Sequence, residues 1–209
     1  LKANTTGSGN TAIGAGGTLD TNTTGSNNIA VGNNALDSNT TADDNTAVGS
    51  GALFANTTGA SNVSVGRRAL FANTTGANNV AIGFEALKCP NVGNTVAIGY
   101  KALKVNNDDG FCNTAVGYLS LSCNTTGDAN IGLGRESLEA NTTGSQNTGL
   151  GTLALHVNTS GGGNTAVGFC SLALNTTGEC NVAVGRESLD SNTTGIQNTS
   201  IGHRALCGV

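Results

Sequence analysis

Methionine and tryptophan are absent from this 209-residue chain, proline occurs once, and aromatic residues make up only 3% of it. Large, stiff side chains are what fill a compact three-dimensional core, so their scarcity argues against an ordinary globular enzyme, although the length alone would allow one. Whatever core exists is thin and built from Ala, Val, Ile and Leu. Charge is scarce as well, at 11% of residues with a formal net charge of −4. That removes the basic footprint which nucleic acid or an anionic membrane surface requires.

Long apolar runs are also missing. Nothing approaches the roughly eighteen consecutive apolar residues of a membrane span, so no membrane insertion is expected. The opening LKANTTG has neither the basic start nor the apolar stretch of a signal peptide, and there is no initiator Met. The chain therefore reads as a processed mature protein or a segment of something longer. Low charge with modest hydrophobicity can also mean disorder, but disordered chains keep no strict apolar register, and this one does.

What is present is a repeat. Glycines that close short apolar runs stand at Gly14, Gly32, Gly49, Gly66, Gly83, Gly99, Gly117, Gly134, Gly151, Gly168, Gly185 and Gly202. Most are seventeen residues apart, and the unit reads G-x-x-A-L-x-x-N-T-T-G-x-x-N-[TVI]-A-[VIL]. A repeat of this length without a helix-period run predicts an all-β parallel β-solenoid, a β-roll or β-helix of twelve coils of about seventeen residues. It is read as one repeat domain over 1–209 with no obvious caps. Open ends of that kind point to an excised stretch of fibre or to a subunit that stacks head to tail.

Each column of the repeat carries its own expectation. The residue before the glycine is always β-branched or Leu, as in Val48, Val65 and Ile82, and Thr, Val or Ile stands two positions earlier. Alternation with period two puts both on one strand face, expected to point inward. Between them lies a small residue in every copy, for example Ala47, Ser64, Ala81 and Gly132. That column is expected on the outer face, small because another copy of the chain packs closely there, the alternative being a loose Ala preference on a wet face. Four residues after the glycine, Leu forms a second inward column, and four before it stands Asn in eleven of twelve coils. Identical amides stacked about 4.8 Å apart can bond along the column, which predicts an Asn ladder.

The N-T-A-V-G and N-V-A-I-G stretches, such as Asn45 to Gly49 and Asn79 to Gly83, resemble the head repeats of trimeric autotransporter adhesins. The whole chain also resembles the related N-T-T-G-x-x-N-T-A-V-G arrays of phage tail-fibre-like proteins. The resemblance implies homotrimers of parallel β-rolls that present surfaces to host matrix or receptors.

Candidate sites are few. Six cysteines lack C-x-x-C spacing, and with only His156 and His203 beside them no zinc site is expected. An even count in an extracellular-looking chain suggests disulfides, with Cys112–Cys123 and Cys170–Cys180 the expected pairs, leaving Cys89 and Cys207 free or linking subunits. N-T-[TS] is also the N-glycosylation acceptor, at Asn4, Asn22, Asn39, Asn56, Asn73, Asn124, Asn141, Asn158, Asn175 and Asn192. Against glycan stands the ordinary turn-forming chemistry of Asn, Thr and Gly.

The positions after the glycine hold a variable stripe of large side chains, Arg67, Phe84, Tyr100, Tyr118, Arg135, Phe169 and Arg186, which is a candidate contact surface for a host surface or glycan ligand. Its alternative is a solvated face. Asp108-Asp109-Gly110 could hold calcium, though turn chemistry explains it as well. No grouping of nucleophile, base and acid suggests an enzyme, and no cofactor is expected. The expected role is a structural segment of an extracellular, cell-surface or virion fibre that associates with itself. The alternative is an ice-binding solenoid, which would need Thr in register on a flat face.

Overall fold

The computed structural model describes residues 1–89, 93–106 and 110–208. The chain is an all-β parallel β-solenoid with one three-residue strand per coil. It forms two compact units, Leu1–Lys101 and Ala102–Val209. The first holds β1 (Thr11–Ile13), β2 (Ile29–Val31), β3 (Thr46–Val48), β4 (Val63–Val65), β5 (Val80–Ile82) and β6 (Val96–Ile98). The second holds β7 (Thr114–Val116), β8 (Ile131–Leu133), β9 (Thr148–Leu150), β10 (Thr165–Val167), β11 (Val182–Val184) and β12 (Thr199–Ile201).

Within each unit, successive strands pair in parallel and in strict register. In the first, Ala47 lies beside Ser64 and Ser64 beside Ala81. In the second, Gly132 lies beside Gly149 and Gly149 beside Ala166. Like therefore stacks on like, which is what turns a sequence column into a physical one.

The strand faces are the reverse of the sequence expectation. The small central residue points inward and is sealed, and the branched residues on either side point out: Ala81 is 0% exposed whereas Ile82 is 38% and Ile29 42% exposed. Period two says that the flanking residues share a face but not which face it is. General burial preferences favour the larger side chains inside. The available space overrides that preference, because each coil encloses little more than one Leu, two small residues and two Asn. Where Gly replaces Ala, a hydroxyl takes up the room. A Cβ on Gly132 would lie 2.6 Å from Ser120 Oγ, and one on Gly149 would lie 2.5 Å from Ser137 Oγ. Those same hydroxyls donate to the Gly132 and Gly149 carbonyls.

The Leu column is buried as expected; Leu36, Leu53, Leu70 and Leu87 in the first unit and Leu121, Leu138, Leu155 and Leu172 in the second are 0% exposed. These leucines have left-handed backbones, with φ near +50° (Leu70 +49°, Leu138 +53°). So do the residues two before each Leu and those five before each repeat glycine, including Arg68, Glu136, Asp44 and Ala129. For a non-glycine residue that conformation costs about 1–2 kcal/mol, and here the lateral hydrogen bonds and the burial of Leu offset it. The cost predicts a stabilising change. Ala129 has φ +53° and is exposed, in a column where Gly9 and Gly163 also occur. Ala129→Gly should raise unfolding stability by a net ~0.5–1 kcal/mol, after allowing for the greater freedom of the unfolded chain. Chemical denaturation of the two proteins measures it.

Candidate functional site

Two buried amide ladders, one at each end of the N-T-T-G-x-x-N turn, determine the interior chemistry of each coil. In the expected ladder, the Asn147 backbone N–H donates to Asn130 Oδ1 at 3.0 Å, and the Asn164 N–H donates in turn to Asn147 Oδ1 at 3.0 Å. Asn147 Nδ2 meanwhile reaches the next turn, donating to the Gly161 carbonyl at 2.8 Å. Thr95 takes the Asn position in the coil that lacks it, and its N–H donates to Asn79 Oδ1 at 3.1 Å.

The second ladder is made by the sequon asparagines. Asn39 Nδ2 donates to Asn22 Oδ1 at 2.8 Å and to the Ala42 carbonyl of its own turn at 3.0 Å. Asn56, Asn141, Asn158 and Asn175 repeat the arrangement. Asn22, Asn39, Asn56, Asn73, Asn124, Asn141, Asn158 and Asn175 are fully buried, Asn192 nearly so and Asn4 partly. The glycan expectation fails on this geometry at the nine sites from Asn22 to Asn192, where a sugar would have to be attached to an inward nitrogen that already makes two hydrogen bonds and nothing of that size fits in the coil. Asn4 is partly exposed, and among the described residues its nitrogen donates only to the Gly7 carbonyl. Asn106 keeps its place in this ladder, accepting from Asn124 Nδ2 at 2.9 Å, although its turn is one residue longer. Asn73 Oδ1 is buried with no hydrogen-bond partner among the described residues, in the coil before the one whose sequence replaces this Asn with Pro90.

All six cysteines are free thiols. The expected pairings do not form because the partners occupy different columns. Cys112 and Cys180 share the left-handed position before the ladder Asn, Cys123 precedes a sequon Asn, and Cys170 lies two after a repeat glycine. Burial, with the negative charges of Glu187 and Asp190, holds the Cys170 thiol above its ordinary pKa. This disfavours the thiolate that would attack a disulfide or a reagent. Asp108 and Asp109 lie outside the described residues.

The stripe of large side chains is on the surface, where it is largely occupied with itself. In the first unit Arg67 stacks over Phe84 at 5.7 Å and Phe84 stacks on Tyr100 at 5.4 Å. In the second, Arg186 lies 5.6 Å over Phe169 and also pairs with Glu187, while Arg135 pairs with Glu136 at 2.7 Å. Tyr118 is half-exposed. A polar depression in the second unit is lined by Thr143, Ser145, Gln146, Ser160, Glu179 and Cys180, at the place where Gly162 and Gly163 contribute no side chain.

The outward strand face, expected from the sequence to lie inside, is a uniform surface in each unit. In the two units its columns comprise Thr11, Ile13, Ile29, Val31, Thr46, Val48, Val63, Val65, Val80, Ile82, Val96 and Ile98, and the corresponding residues of β7 to β12. None of these positions carries a charge. The signal for this was present in the sequence, since an entirely uncharged pair of columns is as unusual on a wet surface as it is ordinary in a contact.

Among known proteins, no family model, no curated sequence and no solved structure matches this chain.

Proposed function

We propose that the chain is a non-catalytic structural repeat segment, a shaft or filament subunit of an extracellular or virion-surface fibre, that associates laterally with further copies of itself. The observation that carries this reading is the outward strand face, which is built of Val, Ile, Leu and Thr, in register and free of charge. Exposed sheet surface of this kind marks an interaction face. A partner with the same repeat would match it column for column, as isologous or cyclic contacts require. The expected close packing at the small residues is thereby relocated to the branched residues beside them. The fibre role also draws support from the resemblance to adhesin heads and tail-fibre arrays, and from an interior whose strongest chemistry is repeated hydrogen bonding.

The test is sedimentation of the intact chain against the double substitution Val48→Lys/Val65→Glu, which places an ion pair on neighbouring outward positions. The wild type is expected to sediment as a homo-oligomer and the variant to shift at least tenfold toward monomer, with unchanged circular dichroism. A wild type that remains monomeric at high concentration defeats the proposal. Thr at six strand-start positions, Thr11, Thr46, Thr114, Thr148, Thr165 and Thr199, favours a second reading, ice binding by the same face. Thermal hysteresis in the monomeric wild type would choose that reading.

A further inference from the structure

We propose that the second unit binds one divalent first-row transition-metal ion, of which Zn²⁺ is the representative, through Glu136, Glu139 and His156. The ligand atoms of these three side chains all lie within 4.8 Å of one another, and His156 Nδ1 is 3.5 Å from Glu139 Oε2. One imidazole and two carboxylates form a mixed N/O donor set suited to such an ion, with water completing the shell. Donors around one tetrahedral Zn²⁺ sit about 3.3 Å apart, so closure requires side-chain rotation of an ångström or so and the exchange of the 3.3 Å contact between His156 Nδ1 and the Glu136 carbonyl for the ion. The backbone is already fixed, because the Ala140 N–H donates to the His156 carbonyl and the Leu138 N–H to the Ala154 carbonyl. All three residues are half-buried, which limits the competing rotamers and strengthens the field of the two carboxylates.

The repeat supplies its own comparison. In the first unit the equivalent acid, Glu85, is met by two permanent cations, Lys88 Nζ at 3.0 Å and Arg68 Nη1 at 3.3 Å. In the second unit Glu187 is likewise met by Arg186 at 2.9 Å and Arg204 at 3.4 Å. Around Glu136 the pattern changes. Glu139 occupies the column position that Lys88 holds in the first unit, so a second carboxylate stands beside Glu136, whose paired guanidinium is that of Arg135. Arg135 engages Glu136 Oε1 and leaves its other oxygen for the metal. The Glu187 cluster also carries a second carboxylate in this column, Asp190, but two arginines meet its acid; among these three clusters only the one at Glu136 has an imidazole where a second fixed positive charge would stand. A bound cation would restore the balance that Arg and Lys provide elsewhere. Glu139 and His156 stand at the same offset from consecutive repeat glycines, which is why their proximity is invisible to a search for short metal-ligand spacings.

The experiment uses the intact chain alkylated with iodoacetamide at alkaline pH, with complete blocking of all six thiols, the less reactive Cys170 included, verified by mass, so that cysteine cannot bind the ion. Calorimetric titration with Zn²⁺ should give one site per chain. His156→Ala and the isosteric Glu139→Gln should each weaken it at least tenfold, and His203→Ala should leave it unchanged, with folding of every variant verified by circular dichroism. Co²⁺ substitution adds a visible spectrum with a low-coordinate d–d band that His156→Ala abolishes. No binding below millimolar Zn²⁺, or a change of less than tenfold in either ligand variant, overturns the proposal.

Discussion

Asn147→Leu is expected to destabilise the solenoid by about 3 kcal/mol, although the two side chains are nearly the same size. Leucine removes the acceptor that receives both the N–H and the Nδ2 of Asn164, and removes the donor to the Gly161 carbonyl. The Gly161 carbonyl retains Asn158 Nδ2, but the Asn164 N–H is left sealed from water with no acceptor. A buried polar group stripped of its partner costs roughly 1–3 kcal/mol, and the weaker bonding left at Asn164 Nδ2 and the Gly161 carbonyl adds to it. Asn147→Asp separates charge from shape. The carboxylate would still accept from Asn164 but would face the Gly161 carbonyl without a proton to offer. Burial and that repulsion raise the folded-state pKa above the unfolded one. The penalty should therefore be largest at neutral pH and shrink as pH falls, vanishing below the unfolded value of about 3.9. Urea unfolding of both variants at pH 7 and pH 4 provides the check. A leucine variant as stable as the wild type would mean that the ladder contributes nothing net.

Gly66→Ala should be at least as damaging, by roughly 3 kcal/mol or more, through two independent causes. Gly66 has φ +129°, a conformation that an L-residue reaches only under strain. An added Cβ would also lie 2.5 Å from the Gly83 carbonyl oxygen and 2.7 Å from its carbon, both backbone atoms of the adjacent coil. Neither neighbour can yield without lengthening the lateral bonds on either side, from the Gly66 N–H to the Val48 carbonyl and from the Gly83 N–H to the Val65 carbonyl. The expected readout is a lower unfolding midpoint together with faster amide exchange at Gly66 and Gly83. Normal midpoint and exchange would show that the coils can separate locally at little cost.

Periodicity made the architecture legible. Seventeen-residue recurrence, an unbroken Leu column and an Asn column were enough to expect parallel strands in register, because identical residues at a fixed spacing have few ways to stack other than on one another. The facing of the strand was not legible. Thr46-Ala47-Val48 reads equally well with Ala in or out, and only the cross-section of the coil, limited by Leu53 and the ladder asparagines, restricts the inward position to residues as small as Gly, Ala or Ser. The burial of the sequon asparagines was not legible for a related reason. Asn39 lies in a polar turn sequence, yet its side chain folds back inside to close that turn through the Ala42 carbonyl. Proximity across coils was the third gap. Glu139 and His156 are neighbours only because equal offsets become adjacent positions once the chain is wound.

The reversed strand underlies both the interior account and the self-association proposal, and the stability of Ala81→Leu tests it most directly. Ala81 is fully enclosed. Adding three heavy atoms there forces the coils apart, and equilibrium unfolding should show a loss at or beyond the upper end of the roughly 1–3 kcal/mol typical of overpacked cores. Wild-type stability in that variant would place the small residues on the outer face and contradict the account.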